Sequence, residues 1–191
     1  MTRLEGMLMI GSAGAKVGKT ELACAILRKF SQSGEEIVGI KVTTINEKDG
    51  QCPRGGEGCG VCSSLDGVYV ITEETDPASG KDTARLLAAG ASQVYWLRVL
   101  RTHIEEGFAA LVDVLGPGAT SICESNSLRH VVEPGLFFIA VRKGAGTWKP
   151  SALEVKKFAD RIVVSDGSSY DFDIDRITLE NGRWLLQANG K

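Results

Sequence analysis

Two histidines in 191 residues, a net charge of −2, few aromatic side chains and no apolar run of membrane-spanning length are the shortages of this sequence. Each excludes something. A charge so near zero offers no basic face for general nucleic-acid binding, and without a long apolar run no membrane partner is expected either. The apolar stretch at 7–10 is too short for a signal-peptide core and runs into a glycine loop, so a cytoplasmic protein is expected. His103 and His130 stand alone, and no Ser-His-Asp set, nucleophile elbow or H-E-x-x-H helix accompanies them. Trp96, Trp148 and Trp184 are scattered as packing residues are, and form no base-stacking platform.

What is present begins at 13–20, Ala13-Gly14-Ala15-Lys16-Val17-Gly18-Lys19-Thr20, between an apolar run at 7–11 and a helical pattern from Glu21. A polyphosphate needs backbone N–H groups crowding around it, which favours small residues where the chain bends. Gly14 and Gly18 meet that need, and Ala13, where the strict G-x-x-x-x-G-K-[ST] pattern has glycine, is nearly as small. Lys19 is then placed for the β/γ-phosphates, Thr20 for a magnesium ion, and the start of the following helix turns its positive end to the anion.

Apolar content of 43% and charged content of 24% suit one globular domain over 1–191. Strand patterns at 37–42, 94–100, 120–124, 135–141 and 161–165 alternate with helical spacing at 21–33, 81–89, 104–115 and 151–159, with a short strand-like run at 68–71. The expected fold is α/β, a mostly parallel sheet with helices on both faces, closed by a C-terminal β-hairpin across Glu180-Asn181-Gly182. Lys41 falls near the carboxyl end of the second strand, where it faces the same phosphates as Lys19 or snorkels to solvent. Glu124 closes the strand at 120–124; there it orders magnesium and its waters, or is a surface residue at a strand terminus. Asp82 favours the dipole at the start of its helix.

Residues 44–68 read as an inserted loop with six glycines and three cysteines. Cys52, Cys59 and Cys62 fall within eleven residues, a spacing at which soft ligands reach one metal, zinc or an iron–sulfur cluster. A fourth ligand would come from Cys123, His103, an acid such as Asp66, a second subunit or outside the protein; the alternatives are reduced thiols or a Cys59–Cys62 redox pair.

The loop at 14–20, the strand Gly39-Ile40-Lys41-Val42-Thr43-Thr44, and Gly80-Lys81-Asp82-Thr83-Ala84-Arg85 leading to Ala89-Gly90-Ala91 together resemble the molybdopterin-guanine-dinucleotide biosynthesis protein B (MobB) family of phosphate-loop NTPases. More distantly the chain is similar to dethiobiotin synthetase, which shares V-G-K-T and a strand ending in glutamate. Val42-Thr43-Thr44 replaces the histidine that the family carries after its lysine, and the cysteine-rich insert is not a family hallmark. The resemblance implies a SIMIBI-class protein that binds GTP or ATP with magnesium through 13–21, including Glu21, commonly as a homodimer. It further implies a slow NTPase acting with a cofactor-biosynthesis protein, with Lys19, Lys41 and Glu124 doing the chemistry. A small-molecule kinase or ATP-dependent ligase is the second expectation, and a metal-regulated, non-enzymatic nucleotide-binding module the third. Guanine recognition commonly uses an N/T-K-x-D loop, of which Ser165-Asp166-Gly167 has only the acid, so both bases stay open.

Overall fold

The computed structural model describes residues 1–46, 65 and 67–188. A seven-stranded sheet carries the fold, in the order β3-β4-β2-β5-β1-β6-β7. Its strands are β1 Thr2–Ser12, β2 Val38–Ile45, β3 Tyr69–Glu73, β4 Gln93–Leu100, β5 Ser121–Glu124, β6 Val132–Arg142 and β7 Arg161–Ser165. All neighbours run parallel except β3, which lies antiparallel on the edge against β4. The central strands are near-continuously apolar because helices cover both faces. One face packs Leu8, Ile10 and Ile122 under α1 Lys19–Gln32 and α2 Asp82–Ala88; the other packs Met9, Ile40 and Cys123 under α3 Ile104–Leu115.

The C-terminal hairpin joins β8 Ile177–Glu180 to β9 Arg183–Leu186 as a separate two-stranded antiparallel sheet. Asn181 and Gly182 both take positive φ, 51° and 72°, the backbone that an Asn-Gly hairpin turn supplies. Trp184 is buried beneath the hairpin, edge-on to Phe30 with ring centroids 4.9 Å apart, and its indole N–H donates to the carbonyls of Gly6 and Ser121.

Several boundaries differ from the sequence patterns. β1 starts at Thr2, not 7, because Thr2–Leu4 pair with Val132–Pro134 across a register shift whose polar, half-exposed residues carry no strand signal. The helix expected over 151–159 is α4 Pro150–Leu153, followed by a 3-10 turn at Lys156–Phe158. Its buried positions, Ala152 and Val155, are three apart, the spacing of a 3-10 turn and too few for an amphipathic face. Thr44 and Ile45, read as the start of the insert, extend β2.

Residues 47–64 and 66 lie outside the described residues, and with them Cys52, Cys59, Cys62 and Asp66. Their flanks are placed. Ile45 pairs with Leu100 on β4, and the Leu100 N–H donates to the Val68 carbonyl at 2.9 Å. The insert therefore leaves and rejoins the sheet at its carboxyl edge, the edge that carries the glycine loop.

No helix among the described residues is long and apolar enough to cross a membrane.

Candidate functional site

The glycine loop turns from β1 into α1 at the middle of the sheet. Gly18 at φ +89° makes the turn into the helix, a conformation that a side chain resists, and Lys16 at the loop's tip also takes positive φ, 53°. α1 has no side-chain cap at its N-terminus, which leaves the N–H groups of its first turn for a ligand. Ala13 replaces glycine without strain: its φ is ordinary, its N–H donates to Ala140 and its carbonyl accepts from Lys149 N.

Beneath the loop, Glu124 ends β5 with no exposed surface, which rules out the surface-terminus alternative. The Lys19 ammonium lies 3.2 Å from its Oε2. The contact is an ion pair, for neither carboxylate oxygen has a hydrogen-bond partner among the described residues. An unsatisfied buried carboxylate beside Lys19 suits a hydrated magnesium ion, whose waters would supply the missing donors.

Lys41 pairs in register with Glu124 across β2 and β5, yet its ammonium goes to α2, 2.5 Å from Asp82 Oδ2. It thus lines the cleft beside the loop as a paired cation, and Asp82 does more than favour a helix dipole. Burial alone would raise the Asp82 carboxyl, but the bond and charge from Lys41 hold it below the usual range. The rest of the 80–91 motif docks the same helix: Thr83 Oγ1 donates to Glu74 at 2.8 Å and Arg85 to Glu21 at 3.0 Å. Gly90 lets α2 close on α1, since a Cβ there would come 2.4 Å from Ser31 Oγ.

These walls enclose an open cleft of about 1130 Å³ around 14–21. Among the described residues lining it, seven are basic (Lys16, Lys19, Arg28, Lys41, Arg85, Arg142, Lys149) and two acidic (Glu21, Asp82), an excess of five positive charges. Both acids are already paired, with Arg85 and Lys41. A cleft so charged on a protein that is acidic overall would attract a polyanion.

The sequence patterns did not single out Lys149 or Arg142, and they read Asn126 only as part of a polar stretch, 124–127, suited to a substrate-facing loop. Asn126 clamps Ser12, its Oδ1 accepting from Ser12 N at 2.8 Å and its Nδ2 donating to Ser12 O at 3.1 Å. Lys149 reaches Ser12 Oγ at 3.0 Å, and Arg142 lies against Gly167, whose lack of a side chain admits the guanidinium. The glycine-rich stretch 143–149 beyond a buried strand was the available signal for the last two.

Asp166 is committed to its own loop, accepting from Ser168 and Ser169 through both backbone and hydroxyl, which holds its carboxyl far below the usual range. Cys123 sits inside the core, where burial pushes its thiol up, so it does not offer a thiolate to the cysteine insert. His103 follows β4 on the edge where the insert's flanks meet, and its ring bonds Thr102; His130 contacts Glu154. No cluster of three or more His, Cys, Asp or Glu stands together among the described residues. Compared with protein-family models, characterised proteins and solved structures, the chain gives no match.

Proposed function

We propose that this chain is a phosphate-loop nucleotide-binding protein that takes GTP or ATP with magnesium, hydrolyses it slowly and serves in cofactor or metallocentre assembly. One observation carries the reading: a left-handed Gly18 turn opens an uncapped helix into a cleft whose described lining residues hold an excess of five positive charges. Lys19 and the first-turn N–H groups hold the β/γ-phosphates. Thr20 and Glu124 would hold magnesium, which would supply positive charge to the phosphate oxygens. The likeness of 39–44 and 80–91 to the MobB family supports the assembly role and a homodimer acting on a protein client. Cys52, Cys59 and Cys62, on an insert whose flanks reach the same sheet edge, are the ligands proposed for zinc or an iron–sulfur cluster.

A kinase or ligase of the dethiobiotin-synthetase kind is favoured by a different observation. Lys41, Thr43 and Thr44 line the cleft beyond the loop, leaving room for a phosphoryl acceptor. Calorimetric titration with Mg-ATP and Mg-GTP tests the main reading. Saturable, magnesium-dependent binding that Lys19→Ala weakens at least about tenfold, or about 1.4 kcal/mol, is expected. Equal affinity in both proteins would refute it. Stimulation of turnover by a small acid would point to the ligase, and stimulation by a protein to the accessory role.

A further inference from the structure

Resting on that nucleotide reading, we propose that Lys149 is a second phosphate-binding cation, carried over the start of the glycine loop to meet the terminal phosphate of a nucleoside triphosphate.

Its backbone is fixed on both sides. After β6 the chain turns at Gly144, with φ +76°, and comes back across the loop, where Lys149 N donates to the Ala13 carbonyl at 2.8 Å. The Lys149 carbonyl accepts from Ala152 N at 2.9 Å, and Pro150 begins α4 directly behind it. The side chain is half-buried and lines the cleft, its ammonium 3.0 Å from Ser12 Oγ. Ser12 is in turn held by two bonds from the Asn126 amide and is 4% exposed. An ammonium so placed meets an anion without the ordering cost of a free surface lysine.

The loop's own lysines are placed differently. Lys19 comes to the cleft with the buried Glu124 carboxylate against it, so part of its charge is spent within the protein. Lys16 is exposed at the loop's tip. The position identifies the phosphate. Asn126 lies two residues beyond Glu124, on the stretch that would receive the magnesium ion, and Ser12 and Lys149 are tied to it. Thr20 and Glu124, the residues that would hold magnesium, would meet the β/γ end of the polyphosphate, so this side of the loop is the terminal one.

The test measures affinity for the β,γ-imido analogues of ATP and GTP and for ADP and GDP, with magnesium and at fixed ionic strength, in wild type, Lys149→Met and Lys149→Arg. The expected result is a loss of about tenfold or more for the triphosphate analogue in Lys149→Met, against less than about threefold for the diphosphate, with Lys149→Arg recovering most of it. An equal loss for both nucleotides, or no loss, overturns the proposal while leaving the nucleotide site standing. Wild type that binds no nucleotide overturns the nucleotide reading itself, and this inference with it. Melting without nucleotide reports the fold. If Lys149→Met does not fold, Ser12→Ala replaces it; that variant keeps the charge but releases its anchor, and an unchanged triphosphate-to-diphosphate ratio there also overturns the proposal.

Discussion

Lys19 and Glu124 form an ion pair, ammonium to Oε2 at 3.2 Å, with the lysine side chain 23% exposed and the glutamate fully buried. The lysine expected to hold phosphate is therefore also the counter-ion of a buried carboxylate at the centre of the sheet. Binding and stability are joined in one side chain.

Lys19→Ala should lower the stability of the nucleotide-free protein by about 3–5 kcal/mol, the usual cost of leaving a buried charge without its partner. Adding Glu124→Gln should recover much of the loss. Urea unfolding of the single and double variants measures both, and an unchanged midpoint for Lys19→Ala would show that the pair contributes nothing to folding.

Glu124→Gln alone should keep the fold, because the amide fills the same volume and gives up a buried charge. Turnover should drop by at least about tenfold, or about 1.4 kcal/mol of barrier, through loss of the magnesium-ordering carboxylate. Steady-state hydrolysis beside a melting curve separates the two effects; full activity would remove Glu124 from the chemistry.

Gly11→Ala lies outside the loop and should still damage it. A Cβ there would come 2.8 Å from Asn126 Oδ1 and 3.2 Å from the Phe137 ring, pushing the amide off Ser12. Overpacking of this kind costs about 1–3 kcal/mol. Nucleotide affinity should fall with it, and a variant that melts and binds like wild type would show that the Asn126 clamp is dispensable.

Asp166→Asn should leave the GTP-to-ATP affinity ratio within about twofold, well under the tenfold that 1.4 kcal/mol would bring, since the carboxylate is held by Ser168 and Ser169 and not offered to a base. Its folded pKa is depressed, chiefly by the backbone N–H bonds from Ser168 and Ser169, so its contribution to stability is present above the ordinary carboxylate value. That contribution is lost as pH falls through the depressed value. The stability difference between wild type and Asp166→Asn should therefore shrink from neutral pH into acid. A difference that grows on acidification would contradict the assignment.

Anaerobically isolated protein should carry zinc or iron, and Ser in place of Cys52, Cys59 or Cys62 should release it. Metal analysis with thiol alkylation decides. Less than about a tenth of an equivalent of any transition metal, with every thiol free, would leave the cysteines as redox or structural groups.

Local spacing made much of this legible. The loop at 13–20 is read from contiguous residues, and Glu124 is found because it closes a short apolar strand. The Asn181-Gly182 hairpin needs only its own turn chemistry. The rest depends on docking that no window contains. The anionic partner of Lys41 is 41 residues away on α2, and Ser12 takes its partners from 114 and 137 residues downstream. Polarity hid the first half of β1, whose residues gain their strand geometry from β6 and not from any apolar face of their own.

The sheet order also sets when the site comes into being. β1 is made first, but its neighbours are β5 and β6, and the last bond to the loop's main chain comes from Lys149. Pairings this distant close late, because the entropy of ordering the intervening chain must be met before any contact rewards it. During synthesis the motif thus leaves the ribosome long before its walls exist, with the apolar run at 7–10 unpartnered until residues 121–142 follow. A nascent chain stopped short of 149 carries the glycine loop as sequence, without the contacts that hold its main chain.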